Sequence, residues 1–189
     1  NWGNASSLHN LGIEAMKEVI LSRQAVADSL GVNREEIIFT SGGTEANNIA
    51  LFGAAKAGKR KGNKIVTTAI EHESVLQSAQ ELERQGFEVI YLQPDQYGCI
   101  SEEQLYNAVD NKTILVSMMY INNEIGSVMP VDKIARAVKR ANAPALIHID
   151  CVQAYGKVNI NAKKLGADLI TVSALSLIHI SEPTRRSYI

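Results

Sequence analysis

Short apolar runs alternate along this chain with segments whose apolar residues recur at helical spacing. Ile37–Thr40 ("IIFT"), Lys64–Thr68 ("KIVTT"), Glu88–Leu92 ("EVIYL"), Thr113–Tyr120 ("TILVSMMY"), Leu146–Asp150 ("LIHID") and Leu169–Ser173 ("LITVS") are rich in β-branched residues and almost continuously apolar. Strands covered on both faces have that pattern, so each run is predicted to be a strand. Helical patterns lie between them. Leu8–Leu30 carries Ile13, Met16 and Ile20 in step and ends at "GV"; Thr44–Ala57, Ser74–Gln85, Ser101–Val109 and Val131–Arg140 follow. Ser101 and Gln104 have capping-box spacing, and Pro130 stands just before the last of these helices. The alternation predicts right-handed crossovers and an α/β fold: a mostly parallel sheet with helices on both faces. No repeat or linker interrupts the pattern before Ala174.

Composition narrows the picture. The chain has 189 residues, 46% hydrophobic and 21% charged, enough for one domain with a sizeable core. A formal net charge of -1 offers no basic face for nucleic acid. The apolar runs are too short to cross a bilayer, so no membrane partner is expected. Cys99 and Cys151 form neither a disulfide framework nor a metal motif, which points to a reducing, cytoplasmic setting.

In open parallel sheets, ligands sit beyond the carboxyl ends of the strands. Five loops there carry candidate chemistry. "TSGGTEANN" opens a helix with two glycines and Thr44, which reads either as a capped turn or as a phosphate cradle of free N–H groups. "AIEHESV" puts His72 ahead of a helix, as a solvated end residue or as an imidazole that stacks on a flat ring or shuttles a proton. "YINNEIGSV" offers the amides and carboxylate of Asn122, Asn123 and Glu124 beside a glycine, as a plain polar turn or as an amide for a ligand oxygen. "HIDCVQAYG" ends an apolar strand in Asp150, which is either exposed, a cap, or a fixed charge aimed at a protonated ligand nitrogen, with the Gln153 amide nearby. Ser173 ends the last strand, as an ordinary serine or a phosphate ligand. Together these groups describe one ligand: a phosphate near Thr44 and Ser173, a flat ring near His72, and a cationic ring nitrogen at Asp150. Pyridoxal 5'-phosphate has those three parts.

"SSLHNLG", "EEIIFTSGGTEANN", "EHESV", "LVSMMYINNEIGSVMPV" and "HIDCVQAYGKVNI" resemble the cysteine desulfurases of the class V aminotransferase group, from Asn4 to Ala174. The resemblance implies a fold-type I, homodimeric pyridoxal-phosphate enzyme. Such an enzyme takes sulfur from L-cysteine, leaves L-alanine and a persulfide on an enzyme cysteine, and supplies sulfur-acceptor or scaffold proteins for iron–sulfur clusters or tRNA thiolation. It assigns Gly43, Thr44 and Ser173 to the phosphate, His72 to ring stacking and proton movement, Asn123 and Gln153 to the phenolic side, and Asp150 to the ring nitrogen. His72 is then the catalytic candidate. Neither Cys151 nor Cys99 matches the persulfide cysteine. A selenocysteine lyase or aminotransferase of the same class, or a non-enzymatic remnant, would share these motifs.

The resemblance stops abruptly after Ala174. The family continues with His-Lys, whose lysine carries the cofactor; here Leu175 and Ser176 stand in those places and no later lysine follows. "LSLIHISEPTR", Leu175–Arg185, resembles a translated sequencing-library adapter. The expectation is a partial cofactor-binding large domain over 1–174, a non-native tail over 175–189, truncation at both ends, and an inactive chain as written.

Overall fold

The computed structural model describes residues 4–7 and 9–175. The expectation of a non-native tail therefore lies, Leu175 apart, outside the described residues. The chain divides into two compact units, Asn1–Phe39 with Ile160–Lys163 and Thr40–Asn159 with Lys164–Ile189.

The first unit is built on α1 (Asn10–Leu30). His9 caps its start, with the side chain accepting the Gly12 N–H at 3.2 Å. Gly31 ends it at φ 69, a left-handed turn that favours glycine. A 3-10 turn, Arg34–Glu36, follows. The strand expected at Ile37–Thr40 is absent: the segment pairs with no other strand among the described residues. An apolar β-branched run favours extended backbone, but a strand also needs a neighbour to take its N–H and C=O groups. Ile38 is 73% exposed and Phe39 50%. What holds the segment is Arg23, whose guanidinium donates to the Ile37 carbonyl and lies 4.8 Å over the Phe39 ring.

The second unit contains the sheet. Its strands are β1 (Lys64–Thr68), β2 (Glu88–Leu92), β3 (Thr113–Met119), β4 (Leu146–Asp150) and β5 (Leu169–Thr171). They are parallel throughout, in the order β2-β1-β3-β4-β5. β1 and β3 are buried along their whole length, as their unbroken apolar patterns require. The helices of this unit are α2 (Gly43–Gly58), α3 (Glu73–Arg84), α4 (Glu102–Ala108) and α5 (Ile134–Arg140). A short α6, Ala162–Leu165, precedes β5 and was not legible as a helix. The predicted helix over Val131–Arg140 begins with a 3-10 turn, Val131–Lys133.

The β1–α3–β2 crossover moves in one direction along the sheet, and β2–α4–β3 and β3–α5–β4 move in the other. Right-handed crossovers must then lie on opposite faces. The contacts agree, with α2 packed on α3 and α4 on α5. Leu51, Ala54 and Ala55 of α2, Val75 and Leu82 of α3, and Ile65, Ile114 and Leu115 of the sheet belong to one core cluster. At the end of α2 a Cβ on Gly58 would stand 2.8 Å from the Cβ of Ile114, so glycine there permits the close approach of helix and sheet.

Candidate functional site

Because the chain leaves β1 for one side of the sheet and returns to β3 on the other, a crevice opens beyond their carboxyl ends. A cavity of about 210 Å³ occupies it. Its wall includes Gly43, Thr44, Asn47, His72, Ser74, Asn123, Asp150, Gln153 and Ser173. Every residue put forward from the sequence therefore faces one cleft, although they come from α2 and from the loops after β1, β3, β4 and β5.

The α2 end of the cleft suits an anion. The helix starts at Gly43 with Gly42 at the cap position and no side-chain capping bond, so Thr44 is inside the helix and does not cap it. Backbone N–H groups and the positive end of a 16-residue helix dipole are thereby left facing the cleft. A Cβ on Gly43 would stand 3.3 Å from Cγ2 of Val152 and 3.8 Å from Cβ of Ser173, so glycine keeps this corner open. Glu45 turns away from it, accepting the Ser41 N–H at 2.6 Å. That bond holds its carboxyl below the usual range.

Asp150 ends β4, buried to 5% exposure. Its Oδ2 accepts from Asn47 Nδ2 at 2.8 Å and its Oδ1 from the Val152 N–H at 2.9 Å. Among the described residues no ion pair reaches it, so a buried carboxylate is held by neutral groups alone. A buried charge of this kind is stabilised by a cation, and the cleft is where one can enter.

His72 is exposed and caps α3: its Nδ1 accepts the Ser74 N–H at 3.1 Å and lies 2.8 Å from Ser74 Oγ. A backbone N–H can only donate, so in the neutral ring the hydrogen sits on Nε2. His72 is thus the end residue of the helix, and it also stands in the wall of the cleft. The two asparagines after β3 divide their work. Asn122 is buried and builds the turn, donating to the Ile70 carbonyl at 2.9 Å and accepting from the N–H groups of Glu124 and Ile125. Asn123 is exposed and lines the cleft. Gln153 accepts from Lys157 Nζ at 3.0 Å.

Sequence reasoning missed three polar residues. Asn47 and Ser74 line the cleft behind Asp150 and His72. Asn47 shares the buried stripe of α2 with Ala50, Leu51 and Ala54, and a polar residue in such a stripe is the signal that was available. Glu71 is buried beside them; its Oε1 accepts from Thr68 Oγ1 at 2.8 Å and from the Met119 N–H at 3.0 Å, so it joins the ends of β1 and β3. Burial pushes its pKa up to about 8. His148, two residues before Asp150, is packed between the hydroxyls of Ser117 (2.8 Å) and Thr171 (3.0 Å), and burial lowers its pKa to about 4. Burial also pushes the Cys151 thiol up to about 12, which makes it inert as a nucleophile.

The family model described as "Aminotransferase class-V" matches residues 1–177. The chain is similar to "Cysteine desulfurase IscS" of Clostridium botulinum (strain Kyoto / Type A2), with 47% identity over 174 residues, which is 92% of this chain and 43% of that protein. Its fold is similar to a solved "NIFS-LIKE PROTEIN", with a TM-score of 0.88 and 40% identity over 93% of this chain and 48% of that one. "SspA in complex with cysteine" is similar as well, with a TM-score of 0.86 and 31% identity over 93% of this chain and 50% of that one. The chain thus spans half the length of these proteins or less.

Proposed function

This chain belongs to the class V aminotransferase family, and from that premise we propose that it is the cofactor-binding part of a pyridoxal-phosphate-dependent cysteine desulfurase. Enzymes of this family use pyridoxal phosphate. The residues of the cleft fit that group. Among the described residues no cation pairs the buried Asp150 carboxylate, the start of α2 lacks a side-chain cap, and Gly43 leaves room beside Val152 and Ser173.

Gly43, Thr44 and Ser173 would hold the phosphate. Asp150 would hold the ring nitrogen and His72 would cover the ring face. Asn123 and Gln153 would take the phenolic side. Bound there, the protonated ring supplies a sink for the electron pair left when an amino acid loses its α-proton. Asp150 acts by charge: at ~4 Å and an effective dielectric near 20, its attraction for a ring N–H⁺ is about 4 kcal/mol. With Nδ1 of His72 engaged by Ser74, Nε2 is the atom left to exchange a proton.

L-Cysteine is the substrate this reading assigns, supported by the similarity to a desulfurase and to a protein solved with cysteine. Cysteine plus an enzyme thiol gives alanine plus an enzyme persulfide, with no outside oxidant or reductant. Neither described cysteine suits that thiol, since Cys151 is buried and Cys99 does not line the cleft. In the whole protein, acceptor or scaffold proteins take the sulfur, two copies pair, and the setting is the cytoplasm. No described helix is long and apolar enough to cross a membrane.

The single observation that carries the reading is the buried Asp150, which no cation pairs among the described residues, in the same cleft as the uncapped start of α2 and His72. Equilibrium dialysis of the full chain against pyridoxal phosphate tests it. Saturable binding, weakened about tenfold or more by Asp150→Asn, is expected. Equal binding by the two chains would remove Asp150 from the ring nitrogen.

A further inference from the structure

Asn47 stands one turn into α2 at the closed end of the cleft and is 1% exposed. Its Nδ2 donates to Asp150 Oδ2 at 2.8 Å and to Ser74 Oγ at 2.9 Å, so both amide hydrogens are used. The carboxylate decides the orientation of the amide: turned over, Oδ1 would meet a carboxylate oxygen, acceptor against acceptor. Ser74 Oγ accepts from Asn47, and its own hydrogen is then directed to His72 Nδ1, 2.8 Å away. Asn47 therefore donates both ways, directly to Asp150 and through Ser74 to His72, and these two side chains link the imidazole to the carboxylate.

The arrangement leaves Asn47 Oδ1 buried without a hydrogen-bond partner among the described residues. Core packing alone does not account for that. A leucine of similar size would fill the same stripe of α2 and bury no orphaned carbonyl. The amide is explained by what its nitrogen holds.

We propose that Asn47 is a positioning residue of the cleft, tying the Asp150 carboxylate to the His72 imidazole so that both address one flat cationic ring together. The inference rests on the reading that Asp150 faces a ring nitrogen. Held from behind by Asn47 and from one side by Val152 N–H, the carboxylate has one edge left for a ligand. Without the amide it is free to turn, and the ring nitrogen loses a fixed partner.

The test measures a ratio of affinities by equilibrium dialysis of the full chain. One ligand is pyridoxal phosphate; the other is its carbocyclic analogue, in which C–H replaces the ring nitrogen. The unaltered chain is expected to favour the nitrogen-containing ligand. Asn47→Leu is expected to lower that preference by about tenfold, the effect of losing an oriented charge-assisted hydrogen bond. A merely structural role weakens both ligands alike and leaves the ratio as it was, and an unchanged ratio overturns the inference while leaving the Asp150 reading intact. An unaltered chain that does not distinguish the two ligands overturns the Asp150 reading, and the inference falls with it. Circular dichroism shows whether the leucine chain folds. If it does not, Asn47→Thr takes its place with the same expectation, because a hydroxyl on Cβ is too short to reach both acceptors.

Discussion

At the scale of single residues, two buried groups beside the cleft make opposite demands on pH. Glu71 releases its proton near 8 in the folded chain, against an ordinary 4.5, because burial penalises its charge. The folded state binds the extra proton between those values, so this stabilisation is complete below about 4.5 and is lost as pH rises to about 8. His148 has the reverse sign: its folded value is about 4 against an ordinary 6.5, so its stabilisation is present above 6.5 and lost as pH falls through 4. Of these two groups, Glu71 is the one whose contribution is lost as pH rises from 6.5 to 8. The thermal midpoint of the full chain is expected to fall across that window. Glu71→Gln, which resembles the protonated acid, should abolish the fall; a variant that falls just as steeply would show that Glu71 is not the group responsible. A second residue-scale expectation concerns Gly43. Alanine there places a methyl 3.3 Å from Val152 in the corner assigned to phosphate. Affinity for pyridoxal phosphate should drop while affinity for pyridoxal, which lacks the phosphate, stays the same; a drop in both would assign the loss to distortion of α2.

Helices and strands differ in how much of their stability is local. α4 is short, Glu102–Ala108, and isolated helices of that length are marginal. Ser101 and Gln104 supply what the length does not, exchanging bonds of 3.1 Å and 2.9 Å across the first turn. Ser101→Ala should cost about 1 kcal/mol in urea unfolding; no change in midpoint would mean that packing on α5 alone holds the element. This capping box was legible in the sequence because its parts lie three residues apart. The strands β1 and β4 were legible because parallel strands buried on both faces need continuous apolar runs, whatever their neighbours. Ile37–Thr40 has such a run and forms no strand, because pairing depends on a second segment that a local pattern does not contain.

For the whole molecule, the order β2-β1-β3-β4-β5 places a switch point between β1 and β3, and the cleft follows from it. The cleft gathers groups for holding a cofactor, yet among the described residues no lysine lines it and the nearest thiol is buried. The full chain given pyridoxal phosphate and L-cysteine should form no more alanine than the free cofactor does; alanine above that level would mean that other residues supply a base and a thiol. The first unit presents Leu21 (63% exposed), Ile38 and Phe39 to solvent. Apolar surface of this kind favours association. Sedimentation velocity should show concentration-dependent growth that Ile38→Lys reduces; identical behaviour of the two chains would place the association elsewhere.

The sequence by itself determined the α/β class, most element boundaries, the family, and the strand-end residues that line one cleft. Each of these depends on residues close together in the chain: apolar runs, helical spacing, caps, and motifs that sit where strands stop. Tertiary structure alone decided that Ile37–Thr40 stays unpaired, that Glu71 lies deep enough to keep its proton near neutral pH, and that Asn47 reaches Asp150 across 103 positions of chain. Burial and pairing are set by neighbours distant in sequence, and they determine which polar groups must hold one another.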